Sequence, residues 1–351
     1  MPAISKGSPS SIHLPPPLVP GDLLCVISPS GGLQTNEKFE EGLAIWRQRG
    51  YKLHLCDGYD QCWRYLAGTD AQRRHQLSEA LHHPESKGIL CARGGYGGTR
   101  LLESWQWPKK QATQWPSNKW LIGFSDITSL LWSLSKEGIA GVHGPVLTTL
   151  ADEPQWSIER LFDLVEKRQV KPLQGKGWAQ TKGPAQATGR LLPGNLCVAT
   201  CLLGTAAEPD LTGVILAFED VGEALYRLDR MLTQWRAMGK LKQVRGIALG
   251  RFSRWEPLKP SPTLTQRAMG KLNQVRGMAP GRFSRWEPPK PSLPPPPGPT
   301  LTVEEVMRDR LSDLGIPIVS DLPFGHDGVN AALPVGLPVH LDAQTGQLSW
   351  A

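Results

Sequence analysis

Between residues 22 and 146, short apolar runs alternate with stretches whose apolar residues recur at helical spacing. Residues 23–27, 52–55, 88–91 and 120–124 predict short buried strands, and 37–49, 70–82, 99–105 and 126–135 predict helices. Thr69 or Asp70 stands where the second of these helices needs its N-cap. Regular strand–helix alternation with strands this apolar predicts an α/β fold, a parallel sheet with helices on both faces. Ligands of such sheets bind beyond the carboxyl ends of the strands. Three turns rich in glycine or polar residues fall there: Ser28-Pro29-Ser30-Gly31-Gly32, Arg93-Gly94-Gly95-Tyr96-Gly97-Gly98 and Ser125-Asp126.

The alternation then lapses. Pro154, Lys171-Pro172 and Gly183-Pro184 punctuate residues 151–186, which read as a linker carrying one helix near 158–167. A second α/β pattern follows, with strands near 187–191, 213–218, 246–250, 317–320 and 339–341 and helices near 195–203, 222–236 and 303–314. The expected organisation is a Pro/Ser-rich disordered tail (1–20), a first unit (21–150), the linker (151–186) and a second unit (187–351).

One internal duplication interrupts the second unit. Thr233 to Gly246 recurs, one residue shorter, as Thr265 to Gly277, and Gly250 to Pro257 recurs as Gly281 to Pro288. Two copies are too few for a solenoid. The first copy keeps the strand sequence Gly246-Ile247-Ala248-Leu249-Gly250, whereas Pro280 replaces Leu249 in the second. Proline cannot donate to a central ladder. Residues 263–298 therefore read as a surface insertion, with Pro294-Pro295-Pro296-Pro297 near its end.

The 351 residues are 40% hydrophobic and 20% charged, as in a globular protein with room for two cores. No run of roughly 18 apolar residues is present to span a membrane. The first twenty residues lack the apolar core of a signal peptide. The net charge of +7 is scattered rather than gathered into basic runs with interleaved aromatics, so no nucleic-acid partner is expected. The six cysteines form no CxxC pair and have no interleaved histidines, so neither zinc nor a disulfide framework is expected and a reducing cytoplasm is the simpler setting.

Candidate chemistry gathers at strand ends. Gly123-Phe124-Ser125-Asp126-Ile127 is half of a nucleophile elbow, with Ile127 where the second glycine usually stands. A strand turning sharply into a helix at Ser125 would expose its hydroxyl; the competing reading makes Ser125 a plain helix N-cap. His326 lies between Gly325 and Gly328 in a loop after a strand, which presents an imidazole to a cleft, and His143 is its rival. Glu219 and Asp220 end a buried strand, a usual place for a triad acid, although either could instead cap the helix after Gly222. Glu223 and Asp229 are expected to pair with Arg227 and Arg230. The Arg93–Gly98 turn lacks dinucleotide and P-loop spacing, so no cofactor is expected; its backbone N–H groups could serve an oxyanion hole.

Taken in order, the segments 91–98, 123–126, 141–145, 194–196, 218–230 and 323–336 resemble those of the LD-carboxypeptidases, serine peptidases that include the microcin-C immunity peptidases. The resemblance covers about 21–262 and 299–350. It implies a Ser125–Glu219–His326 triad, an amino-terminal Rossmann-like domain, a smaller carboxyl-terminal α/β domain with the site between them, and usually a homodimer. It further implies a metal-free hydrolase of the cytoplasm acting on murein tetrapeptide, a small peptide cut before its terminal D-alanine. The backbone N–H groups of Asp126 and Gly95 would bind the oxyanion, and Arg93 and Arg227 are the candidate cations for the substrate carboxylate. Hydrolysis of an aminoacyl or peptidyl nucleotide is the alternative within the family; a non-catalytic ligand-binding module of amidotransferase-like fold is the alternative outside it.

Overall fold

Strand β1 (Leu23–Ile27) opens a parallel array that the first half of the chain builds, and it lies one strand in from an edge. A computed structural model describes residues 12–34, 36–108, 119–179, 183–253 and 301–350. After β1 come α1 (Asn36–Gln48), β2 (Lys52–Leu55), α2 (Asp70–His82), β3 (Ser86–Cys91), α3 (Gly98–Leu102), β4 (Trp120–Gly123), α4 (Thr128–Lys136) and β5 (Gly141–His143). Phe39, Leu43 and Trp46 of α1 and Leu77 and Leu81 of α2 are buried, as the helical spacing requires. Thr69 caps α2 through a reciprocal capping box with Gln72. The helix predicted from residue 126 instead begins as a single 3-10 turn, Ser125–Ile127, before α4.

The segment read as a linker is more structured than expected. After α5 (Leu147–Leu150), which ends the first unit, it carries α6 (Gln155–Phe162) and two short strands, β6 (Leu173–Gln174) and β7 (Lys176–Gly177). Both strands join the second sheet, β6 pairing with residues 347–348 and β7 with residues 319–320. That sheet also contains β8 (Gln186–Asn195), β9 (Ile215–Val221), β10 (Gly246–Ser253), β11 (Ile318–Ser320), β13 (Pro338–Asp342) and β14 (Gln347–Trp350). Its order is β6-β14-β13-β8-β9-β10-β11-β7, and α7 (Leu196–Leu202), α8 (Leu225–Ala237) and α9 (Val303–Leu311) accompany it.

Strand β12 (Leu333–Val335) departs from the expected partition. It pairs antiparallel with β5 and so completes the first sheet, ordered β12-β5-β4-β3-β1-β2. A three-residue strand has too short a pattern to reveal which sheet it joins. A single apolar cluster also crosses between the two sheets: Leu131 and Trp132 of α4 pack with Leu196, Phe218 and Trp235. The Trp132 indole donates to the Pro193 carbonyl at 2.8 Å, and the Asn195 amide donates to the Thr128 hydroxyl at 2.9 Å. These contacts register the two halves where the site forms.

The expectation of a disordered tail fails for residues 12–20. Leu18 is buried, the His13 amide donates to the Gly138 carbonyl, and the Pro16 carbonyl accepts from the Trp120 indole. Proline-rich sequence here wraps the first core as extended chain, which needs no regular ladder. Residues 1–11 lie outside the described residues. Among the described residues no helix is long and apolar enough to cross a membrane.

The first copy of the duplicated strand sequence is β10, central between β9 and β11. The second copy, within 263–298, lies outside the described residues. With the sheet position already filled, deletion of residues 263–298 is expected to leave a folded, active protein, because loop length changes closure cost by only about 0.6 kcal/mol per doubling. Circular dichroism and a turnover assay on the deletion protein check this; insoluble or inactive protein refutes it.

Candidate active site

Three strand ends and one loop converge on Ser125. The residue has φ +63° at the turn between β4 and α4, a left-handed backbone that a non-glycine residue seldom adopts. A plain N-cap normally has extended backbone, so the elbow reading describes this turn better. Gly123 permits it: a Cβ there would lie 2.9 Å from Ile127 Cγ2, the side chain standing where a second glycine is usual. Asp126 points inward and is fully enclosed. Its carboxylate accepts from the Ser30 hydroxyl and the Gly98 amide, each at 2.6 Å, tying three ligand-side turns together.

The 93–98 turn passes directly beside the serine. A Cβ on Gly94 would stand 2.9 Å from Ser125 Cβ and 3.2 Å from its hydroxyl oxygen. Gly94→Ala is therefore expected to displace the serine and lower kcat by about 10²-fold with the fold retained. Steady-state kinetics beside a thermal melt test this, and unchanged kcat would contradict the tight packing.

His326 meets Ser125 from the opposite side. Its Nε2 lies 3.0 Å from Ser125 Oγ, and its Nδ1 lies 2.6 Å from Glu219 Oε2. Glu219 is completely buried at the end of β9. Its Oε2 also accepts from the His326 backbone amide at 3.2 Å, so one carboxylate oxygen orients both ring and loop. Gly325, with φ +112°, brings the chain over that carboxylate: a Cβ there would lie 2.7 Å from Glu219 Cβ. Asn330 and Glu153 hold the rest of the loop. The Asn330 side-chain oxygen accepts from the Gly325 amide at 3.0 Å, and Glu153 accepts from the Asn330 amide at 2.9 Å. Phe124 covers one side of the imidazole, ring centroids 4.8 Å apart.

The other sequence candidates separate. His143 is buried on β5 between Phe124 and Phe324, and among the described residues neither ring nitrogen has a hydrogen-bond partner. Burial holds its pKa down at about 4, so it remains neutral. Asp220 does not cap the helix after Gly222; it faces the first turn of α7, whose N-cap is Asn195. It accepts from the Cys197 amide at 2.9 Å and from the Asn195 side chain at 2.8 Å. Burial, reinforced by the adjacent Glu219 charge, raises its pKa to about 7. Glu223 pairs with Arg227 at 3.3 Å as expected, whereas Arg230 lies over the Tyr226 ring and Asp229 faces Arg310 at 3.6 Å. Arg93 lines a cleft of about 310 Å³ with Gly31, Arg64, Tyr65, Gly95 and Tyr96, and its guanidinium donates to the Gly32 carbonyl at 2.8 Å.

Sequence reasoning missed Ser30, Asn195, Glu153 and Asn330. Each acts through a contact between residues far apart in the chain, and only the polar character of the 28–32 and 326–330 turns hinted at them.

For His326, burial alone would lower the pKa, but the hydrogen bond and charge of Glu219 outweigh it and hold the imidazole above the ordinary histidine value. A general base works as the neutral ring. Activity is therefore expected to rise with pH, with a midpoint above the ordinary ~6.5. A kcat/KM profile measures it, and a midpoint below that value would show that burial, not Glu219, dominates.

The sequence profile of the LD-carboxypeptidase N-terminal domain matches residues 24–144. That of the LD-carboxypeptidase C-terminal domain matches 188–269 and again 262–341, the two stretches meeting within the duplicated region. The chain belongs to the LD-carboxypeptidase family. It is 50% identical to a putative carboxypeptidase of Synechocystis over 97% of this chain and 98% of that protein. A murein tetrapeptide carboxypeptidase of Pseudomonas aeruginosa is 34% identical over 66% of this chain and 76% of that protein. The crystal structure of a muramoyltetrapeptide carboxypeptidase from Oxalobacter formigenes superposes with a TM-score of 0.69 at 26% identity, covering 93% of this chain and 97% of that one. Membership carries with it the family's mixed α/β architecture, and the two sheets described above accord with it.

Proposed function

We propose that this LD-carboxypeptidase family member is a serine hydrolase that removes the terminal D-alanine of murein tetrapeptide, with Ser125, His326 and Glu219 as its catalytic residues. The observation that carries the reading is the continuous hydrogen-bond path from Ser125 Oγ through both nitrogens of His326 to the buried Glu219. With Nδ1–H donating to Glu219, the Nε2 lone pair is left to take the serine proton. Oγ attacks the scissile carbonyl as that proton moves to Nε2. The tetrahedral intermediate then collapses, the C–N bond breaks, and Nε2 returns the proton to the departing amine. Water, deprotonated by the same ring, attacks the acyl carbonyl, and Nε2 returns that proton to Ser125 Oγ as the acyl–oxygen bond breaks.

Glu219 holds the tautomer and stabilises the imidazolium at each transfer. The backbone N–H groups of Asp126 and Gly95 are the proposed oxyanion donors, on the turns that flank Ser125. Arg93 is the proposed partner of the substrate carboxylate, since it lines the cleft reached past Gly95. Arg227, already paired with Glu223, is the second cation. The substrate assignment draws on the relatives from Pseudomonas aeruginosa and Oxalobacter formigenes, whose names specify murein tetrapeptide and muramoyltetrapeptide.

Mass spectrometry of murein tetrapeptide incubated with the protein tests it directly, the expected product being lighter by one D-alanine. An aminoacyl nucleotide run in parallel separates the two substrate classes. A fluorophosphonate probe that leaves Ser125 of folded protein unlabelled would instead favour a binding module.

A further inference from the structure

Away from Ser125, the edge of the first sheet gathers a second set of reactive side chains. His54 on β2 and Cys56 just after it are two residues apart, so an extended chain puts them on one face. Glu79 reaches the same spot from α2, which packs over β1. The candidate ligand atoms of His54, Cys56 and Glu79 all lie within 4.8 Å of one another. His54 Nε2 and Glu79 Oε1 are 2.7 Å apart. The second carboxylate oxygen, Oε2, is buried without a hydrogen-bond partner among the described residues. Beneath them the Cys25 side chain, on the β1 residue that registers with His54, interacts directly with Cys56.

We propose that His54, Cys56 and Glu79 form a binding site for one zinc-class divalent ion, separate from the hydrolytic centre. One nitrogen, one sulfur and one oxygen donor select a borderline metal such as zinc over magnesium or calcium, which prefer oxygen alone. Tetrahedral zinc places its ligand atoms about 3.3–3.8 Å apart. The present spacings, 2.7 Å between His54 and Glu79 and none above 4.8 Å, bracket that range, and the His54–Glu79 hydrogen bond opens as the ion enters between them. Binding converts the Cys56 thiol to a thiolate and releases its proton to solvent. Cys25 stays outside the coordination sphere, where its S–H can donate to that thiolate, and water fills the fourth position through the partly exposed His54–Glu79 side.

The absence of a CxxC spacing does not argue against such a site, because its ligands come from a strand and a helix rather than from one loop. Lys119 is a nearby opposing charge, and the His83 ring lies 5.0 Å from that of His54. The Lys119 ammonium is turned to the Ala80 and His83 carbonyls, to which it donates. Strands β1 and β3 stand between β2 and β4, so the ion would not touch the serine.

The test is a cobalt titration of the reduced, chelator-stripped full chain. Saturation at one equivalent, a thiolate-to-cobalt charge-transfer band and displacement by zinc are expected. Cys56→Ser should abolish the band, and His54→Ala and Glu79→Gln should each weaken cobalt binding by at least about tenfold. A combined Cys62→Ser, Cys197→Ser, Cys201→Ser protein should retain the band, since those thiols lie elsewhere. No band in wild type, a band that persists in Cys56→Ser, or one lost in the triple variant would each overturn the site. If Cys56→Ser does not fold, the partly exposed Glu79 decides: unchanged cobalt affinity in Glu79→Gln overturns the proposal. None of these readouts depends on hydrolysis, so failure here leaves the proposed activity standing, and the reverse.

Discussion

Ser125→Ala is expected to lower kcat by on the order of 10⁴–10⁶ while the protein stays folded and still binds substrate. The substitution removes one hydroxyl from a half-buried turn and leaves the strand, the helix and the Asp126 clamp intact. Alanine must still occupy φ +63°, as serine does, so relief or strain of the backbone is common to both proteins. What disappears is the hydroxyl that lies 3.0 Å from His326 Nε2 and would give it a proton. Single-turnover kinetics on murein tetrapeptide, beside a thermal melt, make the measurement. A loss below about tenfold would mean that another residue is the nucleophile, because loss of a serine-hydrolase triad member costs far more.

Glu219→Gln should cost about 10⁴ in kcat, somewhat less than His326→Ala. The amide can keep a hydrogen bond to Nδ1, yet it cannot stabilise the imidazolium, and its N–H can force the wrong tautomer on the ring. The pH profile supplies a second readout. With the charge gone, burial of His326 is no longer opposed, and the midpoint of whatever activity remains should move down. Asp220→Asn should act mainly on stability, since Asp220 holds Asn195 and the first turn of α7, and should lower the midpoint less than Glu219→Gln, because its charge contributes less to the His326 shift. If Asp220→Asn instead removes turnover and Glu219→Gln does not, the acid has been assigned one residue too early.

Local pattern determined a large part of this protein. The strands β1 to β4, the helices between them and the placement of Ser125, Glu219 and His326 at strand ends or in a glycine-bounded loop are all readable, because each depends on periodicity or on neighbours in sequence. The departures share one cause. Residues 12–20 look like a tail, β6 and β7 look like a linker, and β12 lies within the sequence of the second unit, since short or proline-rich segments carry no period and take their conformation from the surface they meet.

The choice among chemically equivalent residues was likewise tertiary. His143 and His326 both stand near glycines, and Glu219 and Asp220 are adjacent on one strand. Strand alternation sends the two carboxylates to opposite faces, and only the packing of β9 against α7 and the 325–330 loop decides which face meets an imidazole and which meets a helix terminus. Sequence alone narrows the chemistry to a few residues; the 3.0 Å and 2.6 Å contacts that link three of them arise because Trp132, Pro193, Thr128 and Asn195 bring the two sheets into register.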